Sequence, residues 1–177
     1  MGDNVVLVGF MGAGKSSVGR LLARRLGRCF VETDDMITAR VGRSIPEIFA
    51  ERGEAEFRAL EEEAVRLLAL KSGDVIATGG GLPCREGRPA ALRAVGTVVW
   101  LRGDFDTMYE RARRAGERPM LAGRDRDEIE ALYRAREPYY RQADLTIDTT
   151  GLTADQVVSR LLLALHDRPA LAPPGPR

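Results

Sequence analysis

The residues best suited to chemistry in this sequence form one short run, GFMGAGKSS, at positions 9–17. Its spacing, with Gly9 followed by Gly14, Lys15 and Ser16, matches the pattern G-x-x-x-x-G-K-[ST]. Glycines in that pattern let the backbone turn its N–H groups around phosphate oxygens, while the lysine reaches the outer phosphates and the serine hydroxyl holds Mg²⁺. The run therefore predicts a site for a nucleoside triphosphate with Mg²⁺.

The patterns on both sides of this run support that interpretation. The preceding residues, NVVLVGF at 4–10, are apolar and β-branched, which is typical of a buried parallel strand. After the run, apolar residues recur at helical spacing, at Val18, Leu21, Leu22 and Leu26. Gly27 stands where such a helix would end. The order of strand, loop and helix favours a phosphate-binding loop over a simple turn.

Strand-like apolar runs recur along the chain with helical patterns between them. They lie at 4–9, 29–32, 74–78, 96–101 and 144–148. This alternation predicts an α/β fold with a parallel sheet covered by helices on both faces. Ligands of such sheets bind beyond the carboxyl ends of the strands. We therefore expect ETDD at 32–35 and TGGG at 78–81 to lie beside the phosphate-binding loop.

Two long helical segments separate some of these strands. In the first, Ser44 with Glu47 three residues later forms a capping-box pattern, and Gly53 precedes a second helix at about 54–70. An insertion of this size could cover a second substrate. The other segment, 111–142, is rich in arginine and has a loop-like middle, which favours a lid between two helices.

Length and composition indicate one globular domain of 177 residues. We predict a single domain over 1–167, with a substrate-binding insertion at about 33–61, a lid at about 112–124 and a disordered tail at 168–177. A net charge of +1, from 27 basic and 26 acidic residues, argues against a general nucleic-acid binder. No apolar run is long enough for a membrane span, and the first strand starts too near Met1 to leave room for a signal peptide, so we expect a cytoplasmic protein. We also expect a monomer.

Several classes of nucleotide-binding protein are disfavoured by missing signals. A GTPase needs a guanine-selecting N-K-x-D segment, but the only asparagine is Asn4. A motor ATPase would usually be longer and carry a strand that ends in acidic residues, whereas the third strand here continues into TGGG. A small kinase with its own lid is left.

The chain resembles the shikimate kinase family across roughly residues 4–165. The resemblance is carried by GFMGAGKSS, by the TD of ETDD with EFR at 56–58, by TGGG, and by ERPML followed by REPYY. It implies ATP-dependent phosphorylation of the shikimate 3-hydroxyl, which gives shikimate 3-phosphate and ADP on the route to chorismate and the aromatic amino acids. It also implies a five-stranded parallel sheet of the nucleoside monophosphate kinase type, with a substrate-binding helical insertion and a lid.

The resemblance assigns site residues position by position. It implies that the nucleotide is bound by Gly12, Ala13, Gly14, Lys15, Ser16, Ser17, Arg111 and Arg118. It implies that shikimate is bound by Asp34, Arg58, Gly79, Gly80, Gly81 and Arg136. It implies catalytic roles for Lys15, Asp34 and Arg118, and Mg²⁺ ligation by Ser16 and Glu32.

The residue types suit these roles. The planar forks of Arg58 and Arg136 can pair both oxygens of a carboxylate. Asp34 could orient the reacting hydroxyl and accept its proton, in a reaction where positioning matters more than base strength. The glycine run can offer N–H groups to a substrate oxygen or a phosphate. Glu32 departs from the family pattern, which has aspartate there, and Mg²⁺ tolerates altered geometry poorly.

Other interpretations stay open on the sequence alone. A kinase of another small polyol acid, such as gluconate, would share the loop and the arginines. A nucleoside monophosphate kinase, which would phosphorylate AMP, is less favoured because the insertion lacks an evident base-stacking design. A regulatory ATP-binding module without turnover is a third class. Arg58 and Arg136 could be solvated helix charges, and we interpret Asp35 as an N-cap carboxylate of the following helix. No functional role is assigned to Cys84, Trp100 or His166.

Overall fold

The computed structural model describes residues 3–114 and 123–167. Its five strands are β1 Asn4–Val8, β2 Phe30–Glu32, β3 Val75–Ala77, β4 Gly96–Arg102 and β5 Leu145–Asp148. They pair in parallel in the order β2-β3-β1-β4-β5. The predicted five-stranded parallel sheet is confirmed.

Helices connect the strands. They are α1 Lys15–Leu26, α2 Thr33–Val41, α3 Ile45–Leu68, α4 Arg88–Val95, α5 Phe105–Arg114, α6 Arg126–Tyr140 and α7 Ala154–His166. The predicted end of α1 is confirmed, because Gly27 caps that helix in the left-handed conformation with φ 64°. α1 packs beside α7, whereas α3 packs against α2 and α4.

The main core lies around the central strand β1, which is buried along its whole length. Leu7 of β1 is in register with Ala77 of β3 and Val99 of β4. Because these strands are parallel and aligned, the loops that follow them meet at one edge of the sheet. That edge carries the phosphate-binding loop, the start of α2 and the glycine run after β3.

The predicted insertion has a small core of its own. Ile37 of α2 packs with Ile48, Phe57 and Ala64 of α3, apart from the main core. The predicted capping box of Ser44 and Glu47 is present at the start of α3. Gly53 interrupts this helix with φ 76°, which confirms the predicted break. Packing against α2 therefore holds α3 in place beside the edge of the sheet where ligands bind.

Within the described ranges, no helix combines the length and the apolar character needed to cross a membrane. The predicted tail at 168–177 lies outside the described residues, as does most of the predicted lid at 112–124.

Candidate active site

The phosphate-binding loop between β1 and α1 is shaped by glycine. Gly9, Gly12 and Gly14 have φ values of 146°, 77° and 89°, which other residues rarely adopt. A methyl group added to Gly12 would lie 2.0 Å from the carbonyl oxygen of Met108 in α5, so no side chain fits there. The N–H groups of Gly12 and Gly14 donate no hydrogen bond to any described residue. They are therefore available to phosphate oxygens at the start of α1.

Lys15 opens helix α1 and folds back across this loop. Its Nζ donates hydrogen bonds to the carbonyl oxygens of Gly9 at 2.8 Å and Phe10 at 3.0 Å. The ammonium group is also close enough to Asp34 to lower the pKa of that carboxyl. Lys15 thus lies between the loop and the predicted catalytic carboxylate. Of the other predicted loop residues, Ala13 is buried and Ser17 is exposed on α1.

The two predicted Mg²⁺ ligands are brought together. The Ser16 hydroxyl donates a hydrogen bond to Glu32 Oε1, and Arg20 Nη2 lies 2.6 Å from Glu32 Oε2. No group of three or more histidine, cysteine or acidic residues suited to a metal occurs in the described part of the chain. One hydroxyl and one carboxylate nevertheless fit Mg²⁺, because this ion is usually held by one or two carboxylates together with substrate phosphates and water.

One prediction at the start of α2 was wrong. We expected Asp35 to cap this helix, but the helix begins at Thr33 with Glu32 as its N-cap, and Asp35 lies exposed in the first turn. Strand β2 passes into α2 without a connecting loop, and this continuity moves the helix start toward the N-terminus. The Thr33 hydroxyl accepts a hydrogen bond from the Gly79 N–H at 2.9 Å, which joins this turn to the glycine run.

Asp34 faces that glycine run. Its Oδ1 is buried and has no hydrogen-bond partner among the described residues. Burial raises the pKa of Asp34, and the nearby Lys15 ammonium only partly offsets this effect. A methyl group at Gly79 would lie 2.6 Å from Asp34 Oδ1, so glycine leaves the carboxylate its space. Because a buried acceptor without a partner is costly, this oxygen suits a ligand hydroxyl.

Two distant arginines meet at the end of the same run. A methyl group at Gly81 would lie 3.2 Å from Arg136 Nη2 and 3.6 Å from Arg58 Nη1. Arg58 comes from α3 and Arg136 from α6. The N–H groups of Gly80 and Gly81 donate no hydrogen bond within the described residues. This corner therefore combines two cations with two available backbone donors.

A cavity of about 430 Å³ opens beside this corner. Its wall includes Arg58, Gly81, Arg136, Cys84, Arg85 and Tyr139. Cys84 was expected to have only a structural place, but it lies in this wall, together with Arg85, to which the sequence analysis gave no role. Nothing in the sequence marked either residue, because the turn that carries them after β3 matches no pattern. Trp100 is buried in the main core and His166 is exposed.

The two arginines differ in their partners. Arg58 donates to Glu61 at 2.8 Å through Nη1 and to Glu54 at 2.8 Å through Nη2. Burial alone would lower the pKa of Arg58, but these two carboxylates raise it. Glu61 is only 2% exposed, and its burial raises its pKa despite the contact with Arg58. Arg136 forms no ion pair with a described residue, and its guanidinium lies 5.9 Å from the centre of the Phe10 ring.

Glu61 was missed by the sequence analysis. Its position three residues after Arg58 on a helix was the available signal, because side chains at this spacing share a helix face.

Two predicted nucleotide residues remain, Arg111 and Arg118. Arg111 is exposed on α5, the helix whose Met108 contacts the phosphate-binding loop. Arg118 lies outside the described residues, so its catalytic role stays a prediction.

Known proteins are similar to this chain in sequence and in fold. The family model described as Shikimate kinase matches residues 11–166. The shikimate kinase of Moorella thermoacetica is 47% identical over 93% of this chain and 95% of its own length. That of Geobacter sulfurreducens is 47% identical over 90% of this chain and 89% of its own.

Solved structures agree with these relatives. Shikimate kinase from Aquifex aeolicus superposes with a TM-score of 0.83 at 39% identity, covering 92% of this chain and 96% of that one. The Acinetobacter baumannii enzyme, solved in complex with shikimate, has a TM-score of 0.88 at 35% identity, covering 96% and 97%. The chain belongs to the shikimate kinase family.

Proposed function

We propose that this protein transfers the γ-phosphoryl group of ATP to the 3-hydroxyl of shikimate, giving shikimate 3-phosphate and ADP. The observation that carries the proposal is the meeting of Arg58 and Arg136 at Gly81, next to the buried carboxylate of Asp34. Shikimate has one carboxylate and three hydroxyls. A site with paired cations at one end and an acceptor at the other matches that distribution of groups.

At the end of the site that would bind the substrate carboxylate, Arg136 supplies a guanidinium group without an ion pair to a described residue. Arg58 supplies a second guanidinium group beside it. Their planar groups can form paired hydrogen bonds to a carboxylate. The available N–H groups of Gly80 and Gly81 add donors next to these forks. We propose that these four groups hold the acid end of shikimate and thereby fix the direction of its ring.

At the reacting end, Asp34 accepts the hydrogen bond of the substrate hydroxyl through Oδ1. The hydroxyl is thereby held for attack, and its proton passes to the carboxylate as the new O–P bond forms and the bond to ADP breaks. Lys15 lies between Asp34 and the phosphate loop, so its ammonium is placed to neutralise charge on the transferred group.

On the nucleotide side, the Gly12 and Gly14 N–H groups and the start of α1 hold the phosphates. Ser16 and Glu32 would hold Mg²⁺, which supplies further charge neutralisation when bound with ATP. We propose that Arg111 and Arg118 complete the nucleotide site from α5 and the lid, within a single kinase domain.

We also propose a cytoplasmic monomer. Cys29 and Cys84 are free thiols, which is usual in a reducing compartment, and the net charge of +1 does not favour nucleic acid. Sedimentation of the purified chain tests the monomer.

A coupled assay of ADP release tests the activity with three acceptors, namely shikimate, gluconate and AMP. We expect turnover with shikimate and none above background with the other two. Turnover with gluconate alone would show that the substrate is another polyol acid and not shikimate. Absence of ADP release with all three, in a protein that still binds ATP, would favour a regulatory module.

A further inference from the structure

The carbonyl oxygen of Gly80 accepts hydrogen bonds from two side chains. The Tyr140 hydroxyl donates to it at 2.6 Å, and the Cys84 thiol donates to it at 3.5 Å. Tyr140 is the last residue of α6 and is fully buried, with its ring stacked on Trp100 at 6.1 Å between centres. The Tyr140 hydroxyl is therefore fixed by the core, unlike a donor on a surface side chain.

Holding this carbonyl also fixes the N–H group that follows it. The Gly80–Gly81 peptide is trans, so the Gly80 oxygen and the Gly81 N–H lie in one plane and point in opposite directions. The oxygen is committed to Tyr140 and Cys84, whereas the Gly81 N–H donates to no described residue. Glycine itself does little to restrict this plane, because it has wide backbone freedom.

Tyr140 does not line the cavity, so it must act through this peptide and through its other neighbours. Arg136 lies close enough to the hydroxyl to lower the pKa of Tyr140, but burial dominates and raises that pKa well above its ordinary value. The hydroxyl therefore keeps its proton and stays a donor at neutral pH.

We infer that Tyr140 is a positioning residue for the acid end of the substrate, because its hydroxyl fixes the Gly80–Gly81 peptide beside Arg58 and Arg136. The inference rests on the proposed function, in which that peptide contacts shikimate. It adds a residue that touches no substrate. Cys84 assists from the cavity wall, more weakly, since a thiol is a poor donor.

The test is the variant Tyr140→Phe, which keeps the ring and removes the donor. We expect the KM for shikimate to rise about tenfold, since a buried carbonyl loses its main partner. The KM for ATP should stay within about twofold of the parent, and kcat should fall less than the shikimate KM rises. The matched control is Tyr133→Phe in the same helix, because the Tyr133 hydroxyl makes no hydrogen bond to a described residue. That control should leave both KM values unchanged.

Amide hydrogen exchange gives a second readout that does not depend on activity. The hydrogen-bonded amides of Gly79 and Leu82 flank this peptide, and their exchange should be faster in Tyr140→Phe than in the parent or in Tyr133→Phe, while β1 and β4 stay protected. An unchanged shikimate KM in folded Tyr140→Phe would overturn the inference, as would equal rises in the KM values for shikimate and ATP. Unchanged exchange would also overturn it while leaving the proposed function in place. A parent without shikimate turnover would overturn the proposed function, and the positioning role with it.

Discussion

The phosphate side and the acid side of the site are built in different ways. On the phosphate side, consecutive residues from Gly9 to Ser16 form the binding surface, and backbone N–H groups provide much of it. On the acid side, side chains from α3 and α6 meet a glycine run after β3. The first surface is set by local backbone conformation, whereas the second depends on the packing of three separate elements.

The two sides also hold their cations differently. Lys15 donates to neutral carbonyl groups of its own loop. Arg58 is held by two carboxylates, one of them the buried Glu61. A phosphate therefore meets a lysine whose hydrogen bonds go to neutral carbonyl oxygens, but an acid must share Arg58 with two carboxylates. Arg136, which has no such partner among the described residues, should supply more of the affinity for the acid.

The largest effect is expected on the phosphate side, from Lys15→Ala. Turnover should fall by roughly 10³-fold or more, because a charge next to the transferred group is lost. The fold should remain, since Lys15 is not one of the buried core residues and its ammonium group donates to carbonyl groups of its own loop. Steady-state kinetics and a melting curve measure the two effects. Near-normal turnover in a folded variant would contradict the assignment of this loop.

The acid side is tested by Arg136→Ala and Arg58→Ala. Either change should weaken shikimate binding by roughly 2–5 kcal/mol if the charge pair is buried, with little change for ATP. The larger loss is expected for Arg136, because Arg58 is shared with Glu54 and Glu61. Calorimetric titration of both ligands measures this. Lysine at either position should rescue only partly, since it lacks the planar fork.

The two arginine variants should differ in their effect on stability. Arg58→Ala should also lower the melting temperature, because Glu61 would stay buried without its main partner. Arg58→Ala combined with Glu61→Gln should regain part of that loss, whereas Arg136→Ala should have little effect on melting. Undiminished shikimate affinity in both single variants would show that these arginines do not bind the shikimate carboxylate. If only the affinity for ATP falls, the two arginines bind the nucleotide instead.

Asp34 lies where the two sides meet, and Asp34→Asn should lower kcat by about 10²-fold. The same change should stabilise the protein at pH 7. The pKa of Asp34 is raised in the fold above its ordinary value of 3.8, so its contribution to stability is present below that pH and is lost as the pH rises through the raised value.

Asparagine removes this titration. The melting temperature of Asp34→Asn should exceed that of the parent at pH 7, and the difference should shrink as the pH falls toward 3.8. Asp35→Asn is the comparison in the same turn: burial and the nearby Glu32 also raise the pKa of Asp35, but its side chain is exposed, so its gain should be smaller. An equal gain in the control, or no gain at Asp34, would show that burial of the Asp34 carboxylate is not costly.

The contrast between the two sides explains what the sequence could predict. The phosphate side is a local sequence pattern whose glycines are required by the backbone conformation, so its residues can be predicted one by one. The sheet followed from alternation of apolar runs. Arg58 and Arg136 were assigned only through a family resemblance, because periodicity does not show which distant side chains meet. Glu61, Cys84 and Tyr140 acquire their roles from tertiary contacts, and Asp35 was misplaced because strand β2 continues directly into α2.

The smallest effect is expected at Glu32, where this chain departs from its family pattern. Glu32 already joins Ser16 and Arg20, so its longer side chain reaches both groups. Aspartate is shorter by one methylene and should lose one of these contacts, but it keeps the charge and a carboxylate oxygen for Mg²⁺. We therefore expect Glu32→Asp to keep kcat within about threefold and to leave the Mg²⁺ concentration for half-maximal activity unchanged or lower.

Glu32→Gln is the matched control for that prediction. It keeps the length of Glu32 and an acceptor oxygen for Ser16, but removes the charge that pairs with Arg20 and attracts Mg²⁺. Its Mg²⁺ requirement should therefore rise, while that of Glu32→Asp does not. If Glu32→Asp loses activity as Glu32→Gln does, reach rather than charge is the property required at this position. The phosphate side would then depend on side-chain packing in the same way as the acid side, and the contrast between them would fail at its metal site.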